Sequence, residues 1–142
     1  VARHRFLLQT RTADLDWLGH VNNVVFGAYL QEARMAIIMR WRGGLRHESQ
    51  DTVVARVEID YREVLYHRPE PVAVDTWLER IGRTSYVFAH EVREPELGVV
   101  YATGRSVLVQ VDRESLAPTP VDDTLRSYLE QFADDGAPPV TG

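Results

Sequence analysis

The densest group of chemically capable side chains lies in Asp14-Leu15-Asp16-Trp17-Leu18-Gly19-His20-Val21-Asn22-Asn23, where two carboxylates, one imidazole and two amides fall within ten residues. The segment is turn-like and leads into an apolar run that begins at Val24. If that run is a helix, its first turn presents unpaired N–H groups and the positive end of the helix dipole. Such a terminus can hold a developing oxyanion. A carboxylate a few residues upstream, on a tight turn, can face the same point as nucleophile or general base. The competing reading is structural: Asp and Asn favour caps and turns, so these residues would only cap the helix and shape the loop.

Glu32 is the second pointer. Its helical neighbours are Ala28, Tyr29, Met35 and Ala36, which puts it on an apolar side. A buried carboxylate is costly unless paired, so it marks either a site or a structural ion pair with an arginine. The third pointer is Gly82-Arg83-Thr84-Ser85, a guanidinium and two hydroxyls between two strand-like runs. It could grip a phosphate, or it could be a polar hairpin turn. Arg62, Arg68 and Arg105 read as solvated faces. His4, His47, His67 and His90 show no metal-ligand spacing, so no metal is expected. His90 alternates with Tyr86, Phe88 and Val92 and reads as a satisfied core histidine. G-x-S-x-G, P-loop and G-x-G-x-x-G motifs are all absent.

The elements that must position these groups follow from periodicity. Residues 4–11 read as a first strand. From Asn23 to about Trp41 the chain is apolar around most of its girth, with Gly27, Gln31 and Arg34 on one narrow polar stripe. That pattern predicts a buried helix, capped by Asn22 and stopped at Gly43–Gly44. The period then changes to two: apolar residues at 53, 55, 57, 59, 61 and 65 predict a half-buried strand. Runs at 72–81, 85–93 and 99–111 predict three more strands joined by short turns. Residues 121–132 suit a short closing helix. The order β–α–β–β–β–β predicts an α+β fold: five antiparallel strands wrapped around one long buried helix, which describes a hotdog domain.

Composition bounds the rest. A chain of 142 residues with 44% hydrophobic and 26% charged side chains suits one globular domain, expected over 1–133, with a Pro/Gly/acid-rich flexible tail at 134–142. Without cysteine there is no disulfide framework, thiol nucleophile or cysteine zinc site. The net charge of −5 disfavours a nucleic-acid or anionic-membrane partner. All 16 basic side chains are arginine, so any anion recognition must use the guanidinium fork, hydroxyls or helix N-termini. No apolar run is long enough to span a bilayer and no signal pattern is seen, so a cytoplasmic location is expected.

The stretch Asp14 to Arg34, D-L-D-W-L-G-H-V-N-N-V-V-F-G-A-Y-L-Q-E-A-R, resembles the signature of hotdog thioesterases of the 4-hydroxybenzoyl-CoA thioesterase type. Its Asp-Leu-Asp and His-Val-Asn-Asn pieces are also similar to acyl-ACP thioesterases. The resemblance implies hydrolysis of an acyl thioester, with CoA entering as part of the substrate and no other cofactor. Asp16 falls where the family carries its catalytic aspartate, and the Asn23 N–H where the helix start polarises the carbonyl. His20 matches a histidine of the plant enzymes, and Glu32 an acidic position of related helices. Arg83, Thr84 and Ser85 fall in the stretch that meets CoA. Tyr29, Val57 and Tyr61 are expected to line the acyl pocket. The resemblance further implies a homodimer or homotetramer with active sites at the dimer interface. Two departures stand out: Leu18 replaces an asparagine of the plant enzymes, and Asn23 a histidine of some bacterial members. Two alternatives are an acyl-ACP thioesterase and a hotdog module that binds acyl-CoA without hydrolysing it.

Overall fold

Alternating side chains build one sheet, and a single long helix lies across it. The computed structural model describes residues 2–41 and 50–141. In chain order the elements are β1 (His4–Leu8), α1 (Asn23–Ile38), β2 (Gln50–Tyr61), β3 (Val72–Ile81), β4 (Ser85–Arg93), β5 (Val100–Asp112), α2 (Asp123–Glu130) and β6 (Val140–Thr141). The sheet order is β2-β5-β4-β3-β1-β6. The five strands expected from the sequence pair antiparallel, and β6 adds to β1 in parallel, making a mixed six-stranded sheet. The sixth strand arises because the chain after α2 runs back along β1, where the Val140 N–H donates to the Arg3 carbonyl at 2.8 Å. The helix stop expected at Gly43–Gly44 lies outside the described residues.

Helix α1 buries one face rather than most of its girth. Phe26, Tyr29, Leu30, Ala33, Arg34 and Ile37 are buried, while Val24, Ala28, Gln31 and Glu32 are exposed or half-exposed. The contact is a ladder with matched rungs. The Phe26 ring meets Tyr61 edge-on at 5.5 Å, and the Arg34 guanidinium donates to Ser106 Oγ at 3.0 Å. Between them Leu30 lies over Gly104, where an added Cβ would stand 2.9 Å from Leu30 Cδ1 and 2.8 Å from the Glu58 carbonyl. Four helical residues rise about 6 Å and two strand residues about 6.6 Å, so the rungs stay in step. Arg34, expected on the polar stripe, is therefore the buried polar rung: its apolar stem packs inward and its head finds a hydroxyl.

That hydroxyl belongs to a chain of polar groups across the sheet. His90 Nε2 lies 2.9 Å from Ser106 Oγ, and its Nδ1 lies 2.9 Å from Thr76 Oγ1. His90 is thus the satisfied core histidine that alternation predicts. Burial first, and the nearby Arg34 charge second, push its pKa down to about 3, so it is neutral.

Strand β2 departs from the expected alternation. A bulge between Val54 and Arg56 makes Ala55 the extra residue. Val54 pairs with Leu108, Val57 with Ser106, Ile59 with Gly104 and Tyr61 with Ala102. The inner row is therefore 54, 57, 59 and 61, with Val54 in place of 53 and 55. The strand is also less buried than expected, because it forms the sheet edge and α1 meets only its last residues. Val54, Val57 and Tyr61 are 48%, 42% and 51% exposed. Among the described residues, no helix is long and apolar enough to cross a membrane.

Candidate active site at the start of the central helix

The loop before α1 treats its two aspartates differently. Asp14 closes a single 3-10 turn, Thr12–Asp14, and is 1% exposed. Its carboxylate accepts from the Arg11 N–H at 3.0 Å, from Arg11 Nε and Nη2 at 3.1 and 2.8 Å, and from the Tyr29 hydroxyl at 2.8 Å. Burial pushes this carboxyl up, but the hydrogen bonds from Arg11 and Tyr29 outweigh it and hold the pKa below the usual carboxylate range. Tyr29 is correspondingly raised, by burial and by the Asp14 charge. This pair is a clamp on the loop.

Asp16 is half-buried. One oxygen, Oδ1, accepts from the Leu18 N–H at 2.9 Å and the His20 N–H at 3.2 Å. The turn is closed by the Gly19 N–H to the Asp16 carbonyl at 3.1 Å and the Asp16 N–H to the His20 carbonyl at 2.8 Å. Gly19 sits at φ +82°, a conformation that side chains other than Gly rarely take. Among the described residues Oδ2 has no partner. The residue after Asp16, Trp17, is 91% exposed.

The loop feeds straight into the helix. Asn22 is the N-cap, its Oδ1 accepting from the Val24 N–H at 3.0 Å, while the Asn22 N–H donates to the Asp14 carbonyl at 2.8 Å. The Val25 N–H is taken by the Asn22 carbonyl at 2.9 Å. The Asn23 N–H has no partner among the described residues. Asp16, His20, Asn23, Phe26 and Tyr61 line one open cleft of about 330 Å³, with Val21 and Leu65 beneath. The His20 ring stands edge-on to Tyr66 at 4.9 Å. The residues that carry a free carboxylate oxygen, an unpartnered helix-start N–H and an imidazole thus line one space. That combination can activate a water or attack a carbonyl while stabilising the oxyanion that forms.

Other candidates lie elsewhere. Glu32 is exposed rather than buried, because α1 turns Phe26, Leu30 and Arg34 to the sheet and Glu32 away from it. It borders a second cleft of about 390 Å³ with Phe6, Leu8, Arg11, Asp14 and Tyr29. Tyr29 therefore lines this second cleft, not the one at Asp16. Val57 stands on the exposed inner row of β2. Arg83, Thr84 and Ser85 form the β3–β4 turn, its Gly82 N–H bonded to the Ser85 carbonyl at 2.7 Å. Ser85 pairs with Val109 and Tyr61 with Ala102, which places the turn roughly 23 Å along β5 from the Asp16 cleft. Within one chain these groups do not meet. Arg62 and Arg105 are exposed as expected, but Arg68 is partly buried and pairs with Glu94 and the Tyr101 hydroxyl. Among the described residues no three His, Asp or Glu side chains converge as a metal site.

Sequence reasoning missed two features. The buried Arg34 was hidden because it was grouped with Gly27 and Gln31 on one polar stripe, whereas it lies on the buried face with Leu30 and Ile37 while Gln31 is exposed. The Tyr61 hydroxyl donates to the Asn23 carbonyl at 2.9 Å, a long-range contact without a local signature.

The chain is similar to known proteins in sequence and fold. The profile of the Thioesterase-like superfamily matches residues 10–129. A solved structure described as a predicted thioesterase from Bacillus stearothermophilus superposes with a TM-score of 0.83 at 30% identity, covering 95% of this chain and 100% of that one. A thioesterase from Thermus thermophilus, solved in complex with coenzyme A and Zn, gives a TM-score of 0.74 at 32% identity, over 90% of this chain and 92% of that one. The uncharacterized protein YsmA of Bacillus subtilis is 30% identical over 109 residues, 76% of this chain and 72% of its own length. With the family profile spanning both the Asp16 loop and the helix it feeds, this chain belongs to the Thioesterase-like superfamily and is a thioester hydrolase of hotdog fold.

Proposed function

We propose that the protein hydrolyses an acyl-CoA thioester to the free acid and CoA at the Asp16 cleft. The observation that carries this reading is that Asp16, His20 and Asn23 line one open cleft. Asp16 uses only Oδ1 to hold its own loop, so Oδ2 is available as a base on water or as a nucleophile. On the base route, Asp16 takes a proton from water as the oxygen adds to the thioester carbonyl. The Asn23 N–H and the α1 dipole stabilise the oxyanion. Collapse breaks the C–S bond and releases the CoA thiolate, which needs no strong general acid to leave. His20 orients Asp16 or the water. The inner row of β2, Val57 and Tyr61 included, walls the acyl group. The chemistry asks for no cofactor beyond the substrate itself.

We further infer that the working enzyme is a homodimer or a larger homo-oligomer. The long β2 edge with exposed Val54, Val57 and Tyr61 is a surface that soluble proteins usually cover. A second copy is also the means by which Glu32, Tyr29 and the Arg83-Thr84-Ser85 turn can reach a site they do not reach in their own chain.

The test is thiol release from short, long and aromatic acyl-CoAs and from matched acyl-ACPs, with wild type and Asp16→Asn side by side. Turnover on CoA esters, reduced about a thousandfold by the substitution with acyl-CoA binding retained, is the expected result. Turnover on ACP esters alone would move the assignment to the carrier-protein substrate. Binding without turnover would make the protein an acyl-CoA-binding module.

A further inference from the structure

We propose that the Tyr61 hydroxyl is a positioning group for the oxyanion site, strapping the sheet edge to the first residue of α1 and so setting the direction of the Asn23 N–H. The proposal rests on the thioesterase reading above and gives Tyr61 a role beyond walling the acyl group.

Burial in the first turn of α1 begins only at Val25 and Phe26. Asn23 is exposed and Val24 is 76% exposed, so these two residues are held by hydrogen bonds rather than burial. Helix ends fray when nothing holds them. On one side the turn is tied to the loop, through Asn22 to the Asp14 carbonyl. On the other side the described contact is Tyr61, the last residue of β2, donating at 2.9 Å to the Asn23 carbonyl. The Tyr61 ring is itself aimed by Phe26, which meets it at 85° and is only 3% exposed. A buried aromatic therefore steers an exposed one, whose hydroxyl then holds the residue carrying the free N–H.

The hydroxyl's single proton separates positioning from acid catalysis. A tyrosine hydroxyl has one proton to donate. Here it is given to a backbone carbonyl, so Tyr61 does not also donate to an oxyanion or a departing thiolate. Its effect must pass through the geometry of α1. An oxyanion donor that points slightly wrong loses transition-state stabilisation while ground-state binding persists.

The experiment compares wild type, Tyr61→Phe, Tyr61→Ala and Asp16→Asn for thiol release from the same acyl-CoA panel, with kcat and KM read separately. Amide hydrogen exchange at Val25, whose N–H is bonded to the Asn22 carbonyl in this turn, is followed in wild type and Tyr61→Phe. Tyr61→Phe keeps the ring and its contact with Phe26, so kcat should fall about tenfold with KM within about twofold. Exchange at Val25 should quicken by a similar factor. Tyr61→Ala removes the wall as well, and KM should rise too. A Tyr61→Phe enzyme with wild-type kcat, or one altered in KM alone, would overturn the proposal. If wild type turns over no thioester, the thioesterase reading fails on its own. Val25 exchange then still decides the strap, since unchanged exchange in Tyr61→Phe would overturn it.

Discussion

Asp14 and Asp16 stand two residues apart on one loop and have opposite fates. Asp14 is buried, takes hydrogen bonds on both oxygens and clamps Arg11 to Tyr29. Asp16 is half-buried, commits one oxygen to the turn and lines an open cleft. The difference lies in the partners that each carboxylate has already satisfied. A carboxylate saturated with donors is a structural anion, and its proton affinity is too low for it to act as a base near neutrality. A carboxylate with a free oxygen beside a helix start can take a proton or attack. The same contrast divides the clefts flanking α1: one is lined by Asp16, the other by the Asp14–Tyr29 clamp.

The contrast can be broken by experiment. Beyond the loss of turnover expected for Asp16→Asn, Asp14→Asn should show the reverse pattern. It should lose about 2–3 kcal/mol of stability by denaturant unfolding, because charge-assisted hydrogen bonds to a buried group are removed. Activity per folded molecule should stay within a few fold. Large loss of kcat in folded Asp14→Asn would mean that the two carboxylates work as one unit.

The polar core supplies the next effect. The His90 pKa is depressed to about 3 in the folded chain, against an ordinary value near 6.5 when unfolded. Between those values the unfolded state binds more protons, so this group's contribution to stability is complete above about pH 6.5. It is lost progressively as pH falls, with a slope of up to about 1.4 kcal/mol per pH unit. His90→Gln should flatten that slope in melts run between about pH 4 and 7. An unchanged slope would place the acid sensitivity elsewhere. The smallest expected effect is at the cap: Asn22→Ala should cost about 1 kcal/mol of stability, with a modest fall in kcat as the first turn of α1 loosens.

Much of the architecture was legible before any coordinates. Periods of two and of near four separate strands from helix, and the switch after α1 is sharp. The Asp16–Asn23 cluster was legible because its chemistry is local: turn, cap and carboxylate lie within ten residues. What was not legible depends on rotation or on distant partners. The rotation of α1 decided that Arg34 is buried and Glu32 exposed, and hydropathy alone misjudged both because an arginine can bury its stem and satisfy its head on Ser106. One extra residue at Ala55 reversed the alternation of β2 upstream of it, and bulges leave little trace in composition. The Arg83-Thr84-Ser85 turn matched a motif, yet chain connectivity puts it far along the sheet from Asp16.

Trp17 gives the molecule an optical consequence. It is 91% exposed and follows Asp16 directly, whereas Trp41 is 8% exposed and Trp77 lies under the Arg3 guanidinium at 3.7 Å. Indole emission depends strongly on contact with water, so the three chromophores begin in different environments. Of the three, Trp17 has the most contact with water and is next in sequence to Asp16, so anything that settles over this loop should change its emission, a change that can be followed without attaching a dye.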